Sequence, residues 1–215
     1  MSTAILICLI KMPLTLKELD AIPYVDEAGR PVLGQSWERA EQLDAVKYIK
    51  PHHNVLEVGG CYGVTSCVIN HLLQDPTKHL VIEPRHKMIQ VIQENRKTHA
   101  AYFQVFHGAI SRVPLKVVDA SCFPCEARDA NVPTKTIEQL QEQYGIAFNA
   151  LVIDCEGCVP QVLHENPALV EQLELILMEE DRPDIADYKS VYALLGAKGF
   201  EKVKHGFHSV WMRSV

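Results

Sequence analysis

The sequence predicts an α/β protein built on a doubly wound, mostly parallel sheet, and three observations predict it. Short apolar runs alternate with helix-length segments from about residue 50 onward. The runs NVLEV, HLVI, ALVI and LELILM are nearly continuous in apolar character, as expected of strands covered on both faces. Two further runs, joined across Gly206, read as a terminal hairpin, which adds an antiparallel strand to a parallel alternation. Crossovers between parallel strands are right-handed almost without exception, so helices cover both faces. Ligands then bind at the carboxyl ends of the strands, at the switch point.

The elements follow in order. Residues 1–35 form an irregular N-terminal extension broken by Pro13, Pro23, Gly29, Pro31 and Gly34, and residues 36–215 form the main domain. Ser36 is expected to cap a helix running to about Ile49, with Trp37, Ala40, Leu43, Val46 and Tyr48 near helical spacing. Asn54–Val58 is the first strand, and Gly59–Gly63 leads into a helix ending near Leu73. His79–Ile82, a helix from Lys87 to Thr98, and Tyr102–Phe106 continue the alternation. Leu115–Val118 reads as an edge strand, and Thr134 or Thr136 starts a helix that Gly145 ends. Ala150–Ile153 is the most apolar strand, followed by a turn at Asp154–Gly157 and one helix from Pro160 to Val170. Leu173–Met178 is a strand, Asp187–Lys198 a helix, and Phe200–Lys204 with Val210–Arg213 the closing hairpin.

Composition excludes several classes of function. Twenty-one Lys and Arg against 27 Asp and Glu give a net charge of −6, which argues against a nucleic-acid partner. The longest apolar run, Ala4–Ile10, is far short of the roughly 20 residues that span a bilayer. No basic residue precedes it, so a signal peptide is not expected, and the chain reads as cytoplasmic. Seven cysteines without scaffold spacing read as free thiols in a reducing compartment.

Two strand ends carry the first chemistry. In Glu57–Gly63 (EVGGCYG), Gly59 and Gly63 allow a sharp turn and close approach of a ligand, and the next helix begins with free N–H groups. Glu57, two residues before the first glycine, suits an ammonium group. Glu83 in VIEP lies 20 residues beyond Gly63, where a carboxylate accepts both hydroxyls of a ribose. Together they read as an adenosine pocket, with Tyr62 and Pro84 beside it. The loop lacks the G-x-G-x-x-G of dinucleotide sites, and no Walker P-loop is present. An acidic residue at position 57 favours the methionine end of S-adenosylmethionine.

The chain after about Ser36 resembles the FkbM family of S-adenosylmethionine-dependent methyltransferases. The resemblance rests on Glu57–Gly63, VIEP, Gly108–Ser111 (GAIS), Thr136–Leu140 (TIEQL), Asp154–Gly157 (DCEG) with Val162-Leu163, and Leu175–Glu180 (LILMEE). It implies a Rossmann-like, seven-stranded class I methyltransferase fold with an antiparallel last strand. It also implies S-adenosylmethionine as cofactor and O-methylation of a sugar hydroxyl on a glycan or glycoconjugate. Glu57, Gly59, Gly60, Tyr62, Gly63, Glu83, Pro84, Gly108, Ala109 and Asp154 would then bind cofactor. Gly60, Cys61 and Cys158 depart from the family's commoner residues.

Methyl transfer to an alcohol needs an acceptor oxygen held about 3 Å from the methyl carbon, and its proton removed. Asp154 and Glu156 end the central strand, and Glu180 ends its neighbour; these three are the expected catalytic carboxylates. Mg²⁺ held by carboxylates of two adjacent strand ends is the less favoured reading. The pairs Cys122/Cys125 and Cys155/Cys158 are separated by 29 residues, too many for a zinc ribbon, and read as buried thiols. His208 and Trp37 or Trp211 are further candidates for the acceptor site. Two alternatives stay open: a nicotinamide oxidoreductase and a non-catalytic S-adenosylmethionine-binding module. The sequence does not give an oligomeric state.

Overall fold

The computed structural model describes residues 14–214, so the apolar run at 4–10 and Pro13 lie outside the described residues. The N-terminal segment holds helix α1 (Leu16–Asp20) and a small antiparallel pair, β1 (Tyr24–Val25) with β2 (Pro31–Val32). There follow α2 (Arg39–Tyr48), β3 (Val55–Val58), α3 (Val64–Leu72), β4 (His79–Glu83), α4 (His86–Thr98) and β5 (Gln104–His107). Next come the short strands β6 (Ala109–Ile110), β7 (Leu115–Val118), β8 (Ser121–Pro124) and β9 (Thr134–Lys135). The rest is α5 (Ile137–Tyr144), β10 (Ala150–Ile153), α6 (Val159–Glu165), α7 (Pro167–Gln172), β11 (Leu175–Glu179), α8 (Tyr188–Ala197), β12 (Phe200–Lys204) and β13 (His208–Arg213).

The main sheet has seven strands in the order β12-β13-β11-β10-β3-β4-β5. β13 runs antiparallel to both of its neighbours, and the pairs β11-β10, β10-β3, β3-β4 and β4-β5 are parallel. The predicted doubly wound sheet with an antiparallel last strand is therefore present. The chain winds outward from β3 to β5, then returns to lay β10 on the other side of β3. That reversal is the switch point, and the register Val58↔Ile153 sets the two strand ends side by side.

Runs that read as continuous in the sequence divide by alternation in space. Leu56, Val58, Leu80, Ile82, Leu151, Ile153, Ile176 and Met178 face one core, which α5, α6, α7 and α8 cover through Leu140, Leu163, Val170 and Leu195. Val55, Ala150, Val152, Leu175 and Leu177 face the other, covered by Ala45 of α2 and Val68 and Ile69 of α3. Leu19 of α1 is buried in that second core, and Tyr24 of β1 in an adjoining cluster. Each fully buried branched side chain contributes about 1.5–3 kcal/mol, so both layers hold the sheet in place.

Several boundaries differ from the sequence reading, each for a local reason. Ser36 does not cap α2: Gly34–Ser36 form a separate short turn, and the helix starts after Glu38, whose backbone is left-handed at φ 47°. The single helix expected from Pro160 to Val170 is two, because Asn166 precedes Pro167 and leaves the helical region at φ −127°. Leu115–Val118 pairs with Ser121–Pro124 in its own hairpin and is no edge of the main sheet. Of the two threonines offered for α5, Thr136 is the cap, in a reciprocal box with Gln139.

Candidate active site

A cavity of about 280 Å³ opens at the switch point. Gly59 and Cys61 line it from the loop after β3, and Ile82, Glu83, Pro84 and Arg85 from the end of β4. Gly108, Ala109 and Ile110 close the side beyond β5, with Leu115, Ala120 and Cys122 from the hairpin. Asp154, Cys155, Glu156 and Cys158 come from the turn after β10, and Trp37 and Glu38 from the chain entering α2. The structure thus brings Gly59, Glu83, Pro84, Gly108, Ala109, Asp154 and Glu156 to one cavity. Glu57, Gly60, Tyr62, Gly63 and Glu180 do not line it.

Each of those five has a definite place. Glu57 lies on the other face of β3, because strand residues alternate and Val58 is the one turned to the cavity. Its carboxylate is buried, accepts from Ser66 Oγ at 2.7 Å and sits 2.7 Å from His79 Nε2. The expectation that it meets a ligand ammonium is corrected by this placement: its oxygens are taken inside the protein. Gly60 and Gly63 answer to protein packing as well. A Cβ on Gly60 would meet Val81 Cγ1 at 2.6 Å and Ile92 Cδ1 at 2.9 Å, while Gly63 turns the chain at φ 76° into α3. The Tyr62 hydroxyl donates to Glu27 Oε2 at 2.6 Å, and its ring rests 4.7 Å from that of Trp37. Glu180 is held by Lys202 Nζ at 2.6 Å and by the Tyr192 hydroxyl, facing away from the carboxylates at the end of β10. This corrects its expected catalytic position; its flanking residues Glu179 and Asp181 are the ones near Asp154.

Glu83 is almost fully buried at the end of β4. Its Oε2 accepts the Cys61 N–H at 2.9 Å, which fixes the loop Gly59–Gly63 to the strand end. Its Oε1 accepts the Arg85 backbone N–H at 2.8 Å and Arg85 Nε at 2.9 Å. Burial lowers the Arg85 pKa, but the hydrogen-bonded Glu83 carboxylate outweighs it and holds the guanidinium above its ordinary range.

The turn after β10 is bent by Glu156 at φ 55° and Gly157 at φ 97°. The Gly157 N–H donates to Asp181 Oδ1 at 3.1 Å, and the Glu156 carbonyl accepts Ser121 Oγ at 3.2 Å. Cys155 and Cys158 are joined in a disulfide across this turn, with Cα atoms 5.5 Å apart. The sequence reads both as free thiols, and the structure corrects this. The turn brings them within the span a disulfide requires, and their bond removes them from any zinc site shared with Cys122 and Cys125, which are free.

Sequence reasoning missed most of the electrostatics. Glu38, Glu41, Asp154, Glu179 and Asp181 come from three parts of the chain and influence one another's charge. Burial first, then the Asp154 carboxylate, pushes Glu38 up to about 7. Burial and the neighbouring Glu38 push Glu41 up to about 10. Burial and a hydrogen bond with Asp154 push Glu179 up to about 9. Burial also raises Asp181 and lowers His208, which lies 3.6 Å from Glu41. Oxygens of Asp154, Glu179 and Asp181 lie within 4.8 Å of one another, a hard-donor set of the kind that suits Mg²⁺. Glu38 also accepts Trp37 Nε1 at 2.8 Å and Thr65 Oγ1 at 3.2 Å.

No protein-family model and no curated protein matches the chain. Solved structures do. A Streptococcus pneumoniae protein, a candidate tRNA (m1A22) methyltransferase in complex with S-adenosyl-L-methionine, is 12% identical with a TM-score of 0.52, covering 82% of this chain and 73% of that one. An O-methyltransferase from Bacillus cereus in complex with S-adenosylhomocysteine is 12% identical at TM-score 0.52, over 81% of this chain and 80% of that one. Precorrin-6y C5,15-methyltransferase from Geobacter metallireducens is 12% identical at TM-score 0.50, over 82% and 87%. At such identities the likeness establishes the architecture, and this chain has the Rossmann-like fold of class I methyltransferases.

Proposed function

We propose that the protein is an S-adenosylmethionine-dependent O-methyltransferase whose acceptor is a sugar hydroxyl. The observation that carries the reading is the cavity at the switch point, lined by Glu83 from the end of β4 and by Asp154 and Glu156 from the turn after β10. Its volume is near the lower end of the roughly 300–1,000 Å³ common for small-ligand sites. The fold neighbours crystallised with S-adenosylmethionine or its product agree with it, and the resemblance to the FkbM family supplies the acceptor class.

The residues fit the cofactor. Glu83 ends β4 where a carboxylate meets ribose hydroxyls, and releasing the Arg85 guanidinium leaves each oxygen with one backbone N–H partner and room to accept a hydroxyl. Ile82, Pro84, Ala109 and Ile110 give an apolar slot for a base. Glu38 suits the methionine ammonium better than Glu57 does: it lines the cavity and has no cationic partner among the described residues. S-adenosylmethionine brings a methyl group already activated by its sulfonium.

The remaining work belongs to the chain. The turn Asp154–Gly157 presents two carboxylates beside the cavity, and either can accept the hydroxyl proton as the acceptor oxygen is aligned. Trp37 offers an aromatic face at the rim for a sugar ring. A general base of this kind contributes about 10²–10⁴-fold.

Calorimetry with S-adenosylhomocysteine and with NAD tests the cofactor, and binding of NAD alone overturns the reading. Labelled S-adenosylmethionine offered against oligosaccharides, RNA and protein tests the acceptor. The RNA arm is included because one fold neighbour is a candidate tRNA methyltransferase. Label entering only RNA or protein rejects the sugar assignment.

A further inference from the structure

We propose that the Cys155–Cys158 disulfide is a thiol-exchange site, and that its redox state sets the order of the turn bearing Asp154 and Glu156. The effect on methyl transfer rests on the function proposed above; the exchange itself does not.

Four observations carry it. The bond closes a ring around Glu156 and Gly157, the two residues whose backbone is left-handed at φ 55° and 97°. Both cysteines are only partly buried and both line the open cavity, so a reductant can approach the sulfurs without unfolding the sheet. Apart from the disulfide and the strand-end bond from Asp154 N–H to the Val58 carbonyl, two backbone hydrogen bonds hold this turn to other elements among the described residues: Gly157 N–H to Asp181 Oδ1, and Ser121 Oγ to the Glu156 carbonyl. Lastly, Cys122 lines the same cavity as a free thiol, and burial pushes it up to about 11. A protonated thiol attacks a disulfide poorly, so Cys122 leaves the bond intact until an outside thiol arrives.

Glu156 is the residue that feels the change. A non-glycine residue in left-handed backbone carries a steric penalty that its surroundings must offset. With the ring closed, the conformation is imposed covalently. With the ring open, one carbonyl contact to Ser121 and the neighbouring Gly157 bond remain, and the turn frays between conformers.

The reductant is a dithiol of the thioredoxin class. One thiolate attacks a sulfur of the pair, the S–S bond breaks, and the departing sulfur takes up a proton. The second thiol of the reductant then attacks the mixed disulfide, releasing the other cysteine as a thiol and leaving the reductant as its own disulfide. Two electrons and two protons pass from the dithiol to the protein.

The test uses the whole native chain without cofactor. Samples are equilibrated with dithiothreitol buffers of graded reducing strength, alkylated, and mapped by peptide mass, with circular dichroism and amide hydrogen exchange on each. Cys155 and Cys158 are expected to become alkylated together while the secondary structure persists. Exchange at residues 154–158 should rise about tenfold, the factor that corresponds to the left-handed penalty at Glu156, with β3 and β10 unchanged. Cys155→Ser should show the fast exchange without reductant, and Cys122→Ser should respond as the parent does. Three results overturn the proposal: alkylation of both cysteines before reduction, a bond that opens only in denaturant, or unchanged exchange at 154–158 once it is reduced. None depends on S-adenosylmethionine, so a failed methyltransferase assay leaves this test standing.

Discussion

Gly59→Ala is the sharpest single perturbation of the switch point. A Cβ built on Gly59 lies 1.7 Å from the Asp154 carbonyl oxygen and 2.8 Å from its carbon, against ordinary contacts that begin near 3.4 Å. The obstacle is backbone of the adjacent strand end, so no rotamer change relieves it. Moving the loop away strains two hydrogen bonds, Gly59 N–H to the Ile82 carbonyl and Asp154 N–H to the Val58 carbonyl, both 2.9 Å. The φ of 100° adds a steric cost for any side chain. Left-handed strain of about 1–2 kcal/mol, overpacking of about 1–3 kcal/mol and two weakened hydrogen bonds of about 0.5–1.5 kcal/mol each give roughly 3–8 kcal/mol. For a domain of this size each kcal/mol lowers Tm by about 2–4 °C, so a fall of roughly 6–32 °C is expected. Gly145→Ala is the control. Gly145 has φ 64° but nothing within 4 Å of its Cβ, so it reports backbone strain alone. Urea denaturation and thermal melts of both variants decide the matter. A Gly59→Ala protein within about 0.5 kcal/mol of the Gly145→Ala protein refutes the close approach of β3 and β10, since distant surface changes fall in that range.

Two other outcomes follow from the same geometry. Glu57→Ala leaves His79, whose Nδ1 is already without a partner, buried with both ring nitrogens unpaired. The fold should lose about 3–5 kcal/mol in urea denaturation, while the S-adenosylhomocysteine affinity of the folded fraction stays within about twofold, below the effect of one lost hydrogen bond; the opposite pattern restores Glu57 as the ammonium ligand. Glu38, pushed up to about 7 from its ordinary 4.5, should make that affinity rise with pH across neutrality, because only the ionised carboxylate attracts the ammonium. The fold shows the reverse sign: the raised pKa contributes stability fully below 4.5 and loses it as pH rises through 7. Calorimetry between pH 6 and 8 on the parent and on Glu38→Gln checks it, and an unaltered slope in the variant removes Glu38 from the ligand site.

The sheet was legible because its strands are buried on both faces. Val55–Val58 and Ala150–Ile153 leave little room for another reading, and Gly206 marks the hairpin. The glycines after β3 were legible as a turn, but their purpose was not. Sequence reasoning assigned their missing side chains to ligand access. The structure fills the space at Gly59 with the Asp154 carbonyl and at Gly60 with Val81 and Ile92. A glycine pattern reports that something approaches the backbone, and the pattern alone does not distinguish ligand from protein. In the N-terminal segment a signal was present and overlooked. Thr15 and Glu18 form a capping box around α1, spaced as the motif requires, within a stretch read as irregular.

Glu38 could not have been found by periodicity. It stands at the entry to α2 in left-handed backbone, a position that no local pattern announces, and it reaches the cavity only because the chain before it folds back across the strand ends. Glu57 and Glu38 differ in placement for a physical reason. A carboxylate within β3 is assigned to one face by alternation, and position 57 falls on the face covered by α3, where Ser66 and His79 complete it. A carboxylate at a helix entry is free of that constraint and can be presented to a ligand. Burial beside Asp154 makes its ionisation unfavourable unless a cation arrives. The energy withheld by the ligand-free site is available on binding, so a buried carboxylate that lines the cavity is well placed to select a positively charged ligand.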